Sequence, residues 1–411
     1  MNKKSSSRKP KKSKRTTIIV ICVAVAVLAA AMCAMLIFGL GKKAPDAPDT
    51  ETVAVTTVPV STDESTESSE DTTKAPDPTV DYKHADNIKV VAVPNVTVPQ
   101  YINPLTGEAL SSDIAAKRPA AIMINNIHTA CPQHGIGDAD VMIEILAEGG
   151  ITRLLMVKQD YKSLDVTGSV RSSRKYFIDM AQKFDALYIH AGGSDEAYRE
   201  IASRGINNID GVRGGLTNTC FYRDTWRMNN MGYEHSLMTT GDLITKGIEA
   251  KNYRTELKDG FSIPFEVVRP DCAVELDGES AEYAKITYRA SDYPEYEFNA
   301  ATGEYLRYQF QHEKHIDANT NAQLSFKNVL ILVMRHSNTG DEKGHINVNT
   351  TGSGTGYYLT GGKYIPVNWS CDGDDQPMKF TDSQGNRLLL NSGKTAINII
   401  SPDIERTLVI K

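Results

Sequence analysis

The sequence predicts an α/β domain followed by a mostly-β domain, both set behind a transmembrane helix and a disordered stalk. Three observations carry this. A 23-residue apolar run, Ile18–Leu40, follows a basic block. A long Thr/Ser/Pro/acidic tract comes next. Strand-like and helix-like patterns then alternate until about Arg269, where short alternating runs and turn residues take over. At 411 residues the chain is long enough for two ordinary domains with appendages. The chain is expected to divide into a basic cytoplasmic tail (1–17), an anchor (18–40), a stalk (41–95), an α/β domain with a ligand pocket (96–245) and a mostly-β domain (246–411).

Residues 1–15 carry eight Lys or Arg and no acid. As a helix, Ile18–Leu40 would be about 34 Å long, enough to cross a bilayer. The basic block should stay in the cytoplasm. A cleaved signal fits less well, because the apolar core is long and no A-x-A site follows. A lipoprotein signal ending at Cys33 would place bulky Met32 where a small residue is wanted. Everything beyond the anchor is then extracytoplasmic. Beyond the flanking Lys42 and Lys43, residues 44–411 have 35 basic and 51 acidic side chains, a formal charge of −16. Nucleic acid is excluded as a partner on this ground; the expected partners are a wall or membrane-surface ligand or other envelope proteins.

The tract that begins "APDAPDTETVAVTT" at residue 44 has too little apolar surface to offset chain entropy and reads as the stalk. Order is expected to begin near Tyr101. "RPAAIMINN" supplies a first strand, Ala120–Asn125. "IGDADVMIEILAEGG" reads as a helix capped by Asp138, with Val141, Ile145 and Leu146 as its stripe. "ITRLLMVKQD" is a strand. "SSRKYFIDMAQKFD" is a helix capped by Ser172 or Ser173. "ALYIHAGGS" is a strand, and "DEAYREIASRG" is a helix capped by Ser194. One more helix is expected at Thr240–Glu249. Beyond it, "YPEYEFNAATGEYLRYQF" reads as a hairpin, and "GSGTG", Gly352–Gly356, as a hairpin turn. "SCDGDDQ", Ser370–Gln376, reads as a solvated turn rather than a calcium loop.

Polar residues concentrate at the strand and helix ends of the α/β domain, where open sheets bind ligands. Asn125 ends the first strand, Arg171 and Arg174 open the second helix, and His190 ends the third strand beside Gly192 and Gly193. Two arginines beside helix-start amides suit an anion or a polar sugar. The alternative is that they pair with Glu144, Glu148 or Asp185 and hold the fold together. Glu144 and Glu148 stand four apart, on one face of the expected helix, and paired carboxylates suit acid–base work. Glu148 and His190 are therefore the catalytic candidates for a cell-wall hydrolase, the alternative to a binding protein. His190, His235, Glu148 and Asp224 lack the spacing of a metal motif, so no metal or cofactor is expected. Tyr222 and Trp226 suit either sugar stacking or a core. Cys131, Cys220, Cys272 and Cys371 are scattered singly, leaving one or two disulfides or plain thiols open.

From Tyr101 to the end, the chain resembles the YerB-like bacterial lipoprotein family, domain of unknown function 3048. The resemblance is carried by "RPAAIMINN", "PQHGIGDADVMIE", "AEGGITRLL", "GSVRSSRKYF", "YIHAGGS" and "FYRD". In the second domain it is carried by "GEYLRY", "GSGTGYYLTGGKYI" and "DSQGNRLLLNSGK". It implies characteristic polar positions at Glu144, Glu148, Arg153, Arg171, Arg174, His190 and Arg223, and implies no settled activity. The sequence departs from the family pattern at Cys131, where Arg is usual, and at Glu234, where Pro is usual before His235. It also departs near Ala396, where an aromatic residue is usual. Many relatives are lipid-anchored; this chain carries a helix-like anchor instead.

Overall fold

The computed structural model describes residues 80–411 apart from Asp292. The expected tail, the anchor at 18–40 and most of the stalk lie outside the described residues. Among the described residues no helix is long and apolar enough to cross a membrane.

Strands β1 (Ile88–Ala92), β2 (Ala120–Asn126), β3 (Val141–Leu146), β4 (Thr152–Lys158), β5 (Leu187–His190) and β6 (Asn208–Asp210) precede residue 245. Helices α1 (Lys175–Gln182), α2 (Asp195–Ser203), α3 (Thr225–Asn230) and α4 (Gly241–Ala250) lie between and after them. The later region is mostly strand: β7 (Cys272–Leu276), β8 (Glu295–Asn299), β9 (Glu304–Gln309), β10 (Asn328–Val333), β11 (His336–Asn338), β12 (Ile346–Val348), β13 (Gly352–Thr360), β14 (Lys363–Cys371) and β15 (Thr395–Ile400). An α/β region thus precedes a mostly-β region.

The two regions share one eleven-stranded sheet, whose main path runs from Glu279–Ser280 through β14, β13, β10, β15, β3, β4 and β2 to β5 and β6. The junction is the parallel pair β15–β3, with Thr395 opposite Val141 and Ile399 opposite Ile145. The composition change near residue 245 therefore leaves the hydrogen-bonded ladder unbroken. The central strands are buried on both faces, as in sheets covered on both sides. Side chains of β2 alternate between two cores: Ala121 and Met123 meet Phe177 and Phe184 in one, while Ile122 and Ile124 join Ile244, Tyr296 and Phe326 in the other. A six-stranded sheet containing β8 and β9 contributes to the second core.

Four local expectations are corrected. Order starts before Tyr101: β1 pairs antiparallel with β7, Ile88 opposite Leu276, and Ile88 is buried. Its IKVVA run was masked by the polar composition of its surroundings. "VMIEIL" is the central strand β3, not a helix, because a short run buried on both faces mimics a helical stripe. Glu144 and Glu148 therefore do not share a helix face, and Asp138 lies in a single 3-10 turn. Helix α1 has Arg174 at its N-cap, in extended backbone and without a side-chain cap, instead of Ser172 or Ser173. "GSGTG" lies inside β13, where a Cβ on Gly354 would come within 2.5 Å of the Trp369 indole nitrogen. Ser194 does cap α2, accepting from the Ala197 amide at 3.1 Å. The loop "SCDGDDQ" is solvated as expected, with Asp372, Asp375 and Gln376 exposed, and is also pinned: Lys175 pairs with Asp374 at 2.7 Å and Arg204 with Asp375 at 2.8 Å.

Candidate functional site

Chain direction fixes the first charged cluster. Strand β3 ends at Leu146, and Gly149 and Gly150, both at positive φ, turn the chain back into β4. Glu148 sits in that turn. Arg153 on β4 reaches one of its carboxylate oxygens, and Arg174 reaches the other with Nε at 3.1 Å and Nη2 at 2.7 Å. Arg153 also donates to the Ser172 carbonyl at 3.2 Å, and Arg174 to that of Ser173 at 2.6 Å. Burial alone would raise the Glu148 carboxyl; the guanidinium groups of Arg153 and Arg174 outweigh it and hold the group below the ordinary carboxylate range. Burial, with Arg174 close by, pushes Arg153 down to about 10.

Glu148 and Arg174 of this cluster form one wall of a cleft of about 1010 Å³, completed by the first turn of α2 and the loop between β11 and β12. Asp195, Glu196, Asp341 and Glu342 face it, as do Arg199 and Lys343. The side chains of Arg199 and Lys343 form no ion pair among the described residues, whereas Asp341 holds His345.

The remaining expected residues divide among other tasks. Arg171 does not line this cleft; it pairs with Glu234 at 2.6 Å. The departure from the family pattern at Glu234 thus supplies Arg171 with its carboxylate. His235 contacts the Asn125 amide at 2.8 Å, and its imidazole is lowered by burial despite the Glu234 charge. Arg223 donates to the Tyr233 carbonyl at 2.6 Å and lies over that ring at 3.8 Å. Asp224 caps α3 through the Arg227 amide at 2.7 Å. Tyr222 and Trp226 are exposed, which removes them from the core.

His190 is fully buried, with Nδ1 on the Gly192 carbonyl at 2.8 Å and Nε2 on the Asn208 side chain at 3.1 Å. His190 and Arg171 do not line this cleft, although their segments are neighbours: the Ala191 amide donates to the Arg171 carbonyl at 3.0 Å. Glu148 and His190 share no hydrogen bond, and a carboxylate clamped by two cations is a poor proton donor or acceptor. No nucleophile–base–orienter set forms around them. Among the described residues no three His, Cys, Asp or Glu converge on a cation site, and none of the four cysteines there is disulfide-bonded.

Glu144 belongs to a buried network that the sequence reading missed. Its carboxylate accepts from Thr152 at 2.6 Å, Asn126 at 3.2 Å and Arg307 at 2.7 Å. Arg307 also donates to the Tyr296 hydroxyl at 2.7 Å and to His315 Nδ1 at 2.9 Å, and the other His315 nitrogen meets Gln133 at 3.0 Å. Burial first, and the Arg307 charge second, keep His315 well below its ordinary range. The available signal was the alternation of "EYLRY", which places Arg307 on the same inward side as Tyr305.

Two family descriptions match this chain. Residues 105–254 match the N-terminal domain of a protein of unknown function, DUF3048, and residues 284–397 match its C-terminal domain. The chain is 28% identical over 321 residues to "Putative lipoprotein YerB" of Bacillus subtilis (strain 168), covering 78% of this chain and 92% of that protein. A crystal structure of the YerB protein from Bacillus subtilis superposes with a TM-score of 0.63 at 26% identity, covering 75% of this chain and 99% of that one.

Proposed function

Since the chain belongs to the DUF3048 family and carries both of its domains in order, we propose that it is an extracytoplasmic, membrane-held envelope protein that binds a wall-related ligand without transforming it. The description of its Bacillus subtilis relative as a lipoprotein supports the location. Ile18–Leu40 acts as the single span, with the N-terminus inside. Protease added to intact protoplasts should then remove the folded part; protection of that part would overturn the topology.

One observation carries the binding reading: a cleft of about 1010 Å³ with Glu148 and Arg174 on its wall, held by Arg153, and two cations, Arg199 and Lys343, that hold no carboxylate among the described residues. Its mixed lining suits an acid-bearing glycan better than a bare anion. The unpaired cations take the ligand's carboxylate or phosphate, while Asp195, Glu196 and Asn347 accept or donate to hydroxyls. Calorimetry with purified wall-glycan fragments should detect binding. Arg199→Ala combined with Lys343→Ala should weaken it more than tenfold at unchanged melting temperature, because both side chains are exposed and unpaired. Turnover of the fragments by the purified chain would replace binding with hydrolysis.

A further inference from the structure

We propose that Cys131 and Gln309 condense into an internal thioester that captures primary amines. Cys131 follows the short turn His128–Ala130 that leaves β2, and Gln309 ends β9. The fold brings them together from far apart in sequence: Gln309 Nε2 lies 3.5 Å from Cys131 Sγ. The carbonyl carbon is one C–N bond of about 1.33 Å further. The thiol therefore stands within about 5 Å of the carbon it would attack, and a half-turn of the amide leaves that carbon in place.

Two further observations point the same way. Gln309 is 3% exposed, yet its Oε1 has no hydrogen-bond partner. A buried amide oxygen without a donor is unfavourable. A thioester carbonyl, which is a weaker acceptor, suits such a position better. On the other side, Arg227 donates to the carbonyls of Ala130 at 2.5 Å and Pro132 at 2.9 Å, the residues flanking Cys131, and its charge interacts with the thiol. A neighbouring cation favours the thiolate, which is the nucleophilic form. Cys131 is half-buried, whereas Cys220, Cys272 and Cys371 are buried, so the pair is open to a small amine from the Cys131 side, next to the carbon it would attack.

The chemistry closes without an oxidant or a cofactor. The Cys131 sulfur bonds to the Gln309 carbonyl carbon, the carbon–nitrogen bond breaks, and the amide nitrogen leaves as ammonia with the proton from the thiol. A primary amine then attacks the same carbon. The carbon–sulfur bond breaks, a proton passes from the amine nitrogen to sulfur, and the products are a substituted amide at Gln309 and a restored thiol. The proposal stands independently of the cleft.

Peptide mapping of the full-length chain purified in detergent tests it. The expected result is a peptide pair joined through Cys131 and Gln309, lighter than the sum of its parts by one ammonia. Cys131 should be alkylated in the denatured chain only after hydroxylamine treatment. Incubation with methylamine should give a methylamide at Gln309 and a free thiol at Cys131, and Cys131→Ala should abolish both changes. The decisive readings come from the unaltered chain, so a variant that fails to fold does not blunt them. Full alkylation of Cys131 without hydroxylamine, with Gln309 recovered as a plain amide, would overturn the proposal.

Discussion

A carboxylate shared by two guanidinium groups contributes differently from an exposed ion pair. Arg153 is 2% exposed, and without Glu148 its charge would be left buried against Arg174. Breaking such a pair from one side costs about 3–5 kcal/mol when both partners are buried. The 22% exposure of Glu148 argues for the lower end, so Glu148→Gln should lower stability by about 3 kcal/mol in urea titrations. The pH dependence has a definite sign. The folded carboxyl is depressed relative to its unfolded value, so its stabilisation is complete above the ordinary value of 4.5 and fades as pH falls through the lower folded value. The stability lost between pH 5 and pH 3 should therefore be smaller in Glu148→Gln than in the parent chain; an equal loss would show that Glu148 does not titrate as a clamped carboxylate. Residue identities at this cluster were legible in the sequence, since Glu148, Arg153 and Arg174 all stood out. Their partners were not. Periodicity alone put Glu148 on a helix, and only the strand and its glycine turn place it between two arginines.

At the scale of elements, buried strands were the hardest to read. Strand β3 has apolar residues at almost every position, which matches a helix stripe as well as a doubly covered strand. Amphipathic α2 and its Ser194 cap, by contrast, followed directly from a charged first turn and a capping residue. The hairpin β8–β9 followed from alternation about "NAATG", with Asn299 opposite Glu304. Strand β13 shows how glycine misleads. Gly354 and Gly356 serve close packing: Gly354 faces the Trp369 indole, whose nitrogen donates to the Val333 carbonyl at 2.9 Å, and Gly356 faces the Ile331 carbonyl. Gly354→Ala should destabilise by roughly 1–3 kcal/mol through overpacking, and quench or shift the Trp369 fluorescence. Gly385→Ala, with open space around its Cβ but a positive φ, should destabilise by roughly 1–2 kcal/mol through backbone strain alone and leave that fluorescence unchanged. Equal fluorescence changes in the two variants would refute the packing account.

For the molecule as a whole, the shared sheet decides what is a folding unit. Strand β3 is flanked by β15 on one side and β4 on the other, and Glu144 on β3 is neutralised by Arg307 from the later region. A fragment of residues 96–245 would expose the edge of β3 and leave Glu144 buried without its cation. It should therefore fail to fold, while residues 80–411 should melt in one transition. Calorimetry on the two fragments checks this; a separately cooperative 96–245 fragment would refute it. The sequence could not reveal this union, because parallel pairing of β15 with β3 leaves no local trace in either segment. The same pairing sets an order on the chain's birth. Residues 141–146 are made early, but the neighbour that completes their ladder, residues 395–400, leaves the ribosome near the end of synthesis. Until then β3 has β4 alone beside it and its other edge stands open, so the chain cannot lock early, as export to the proposed location would require.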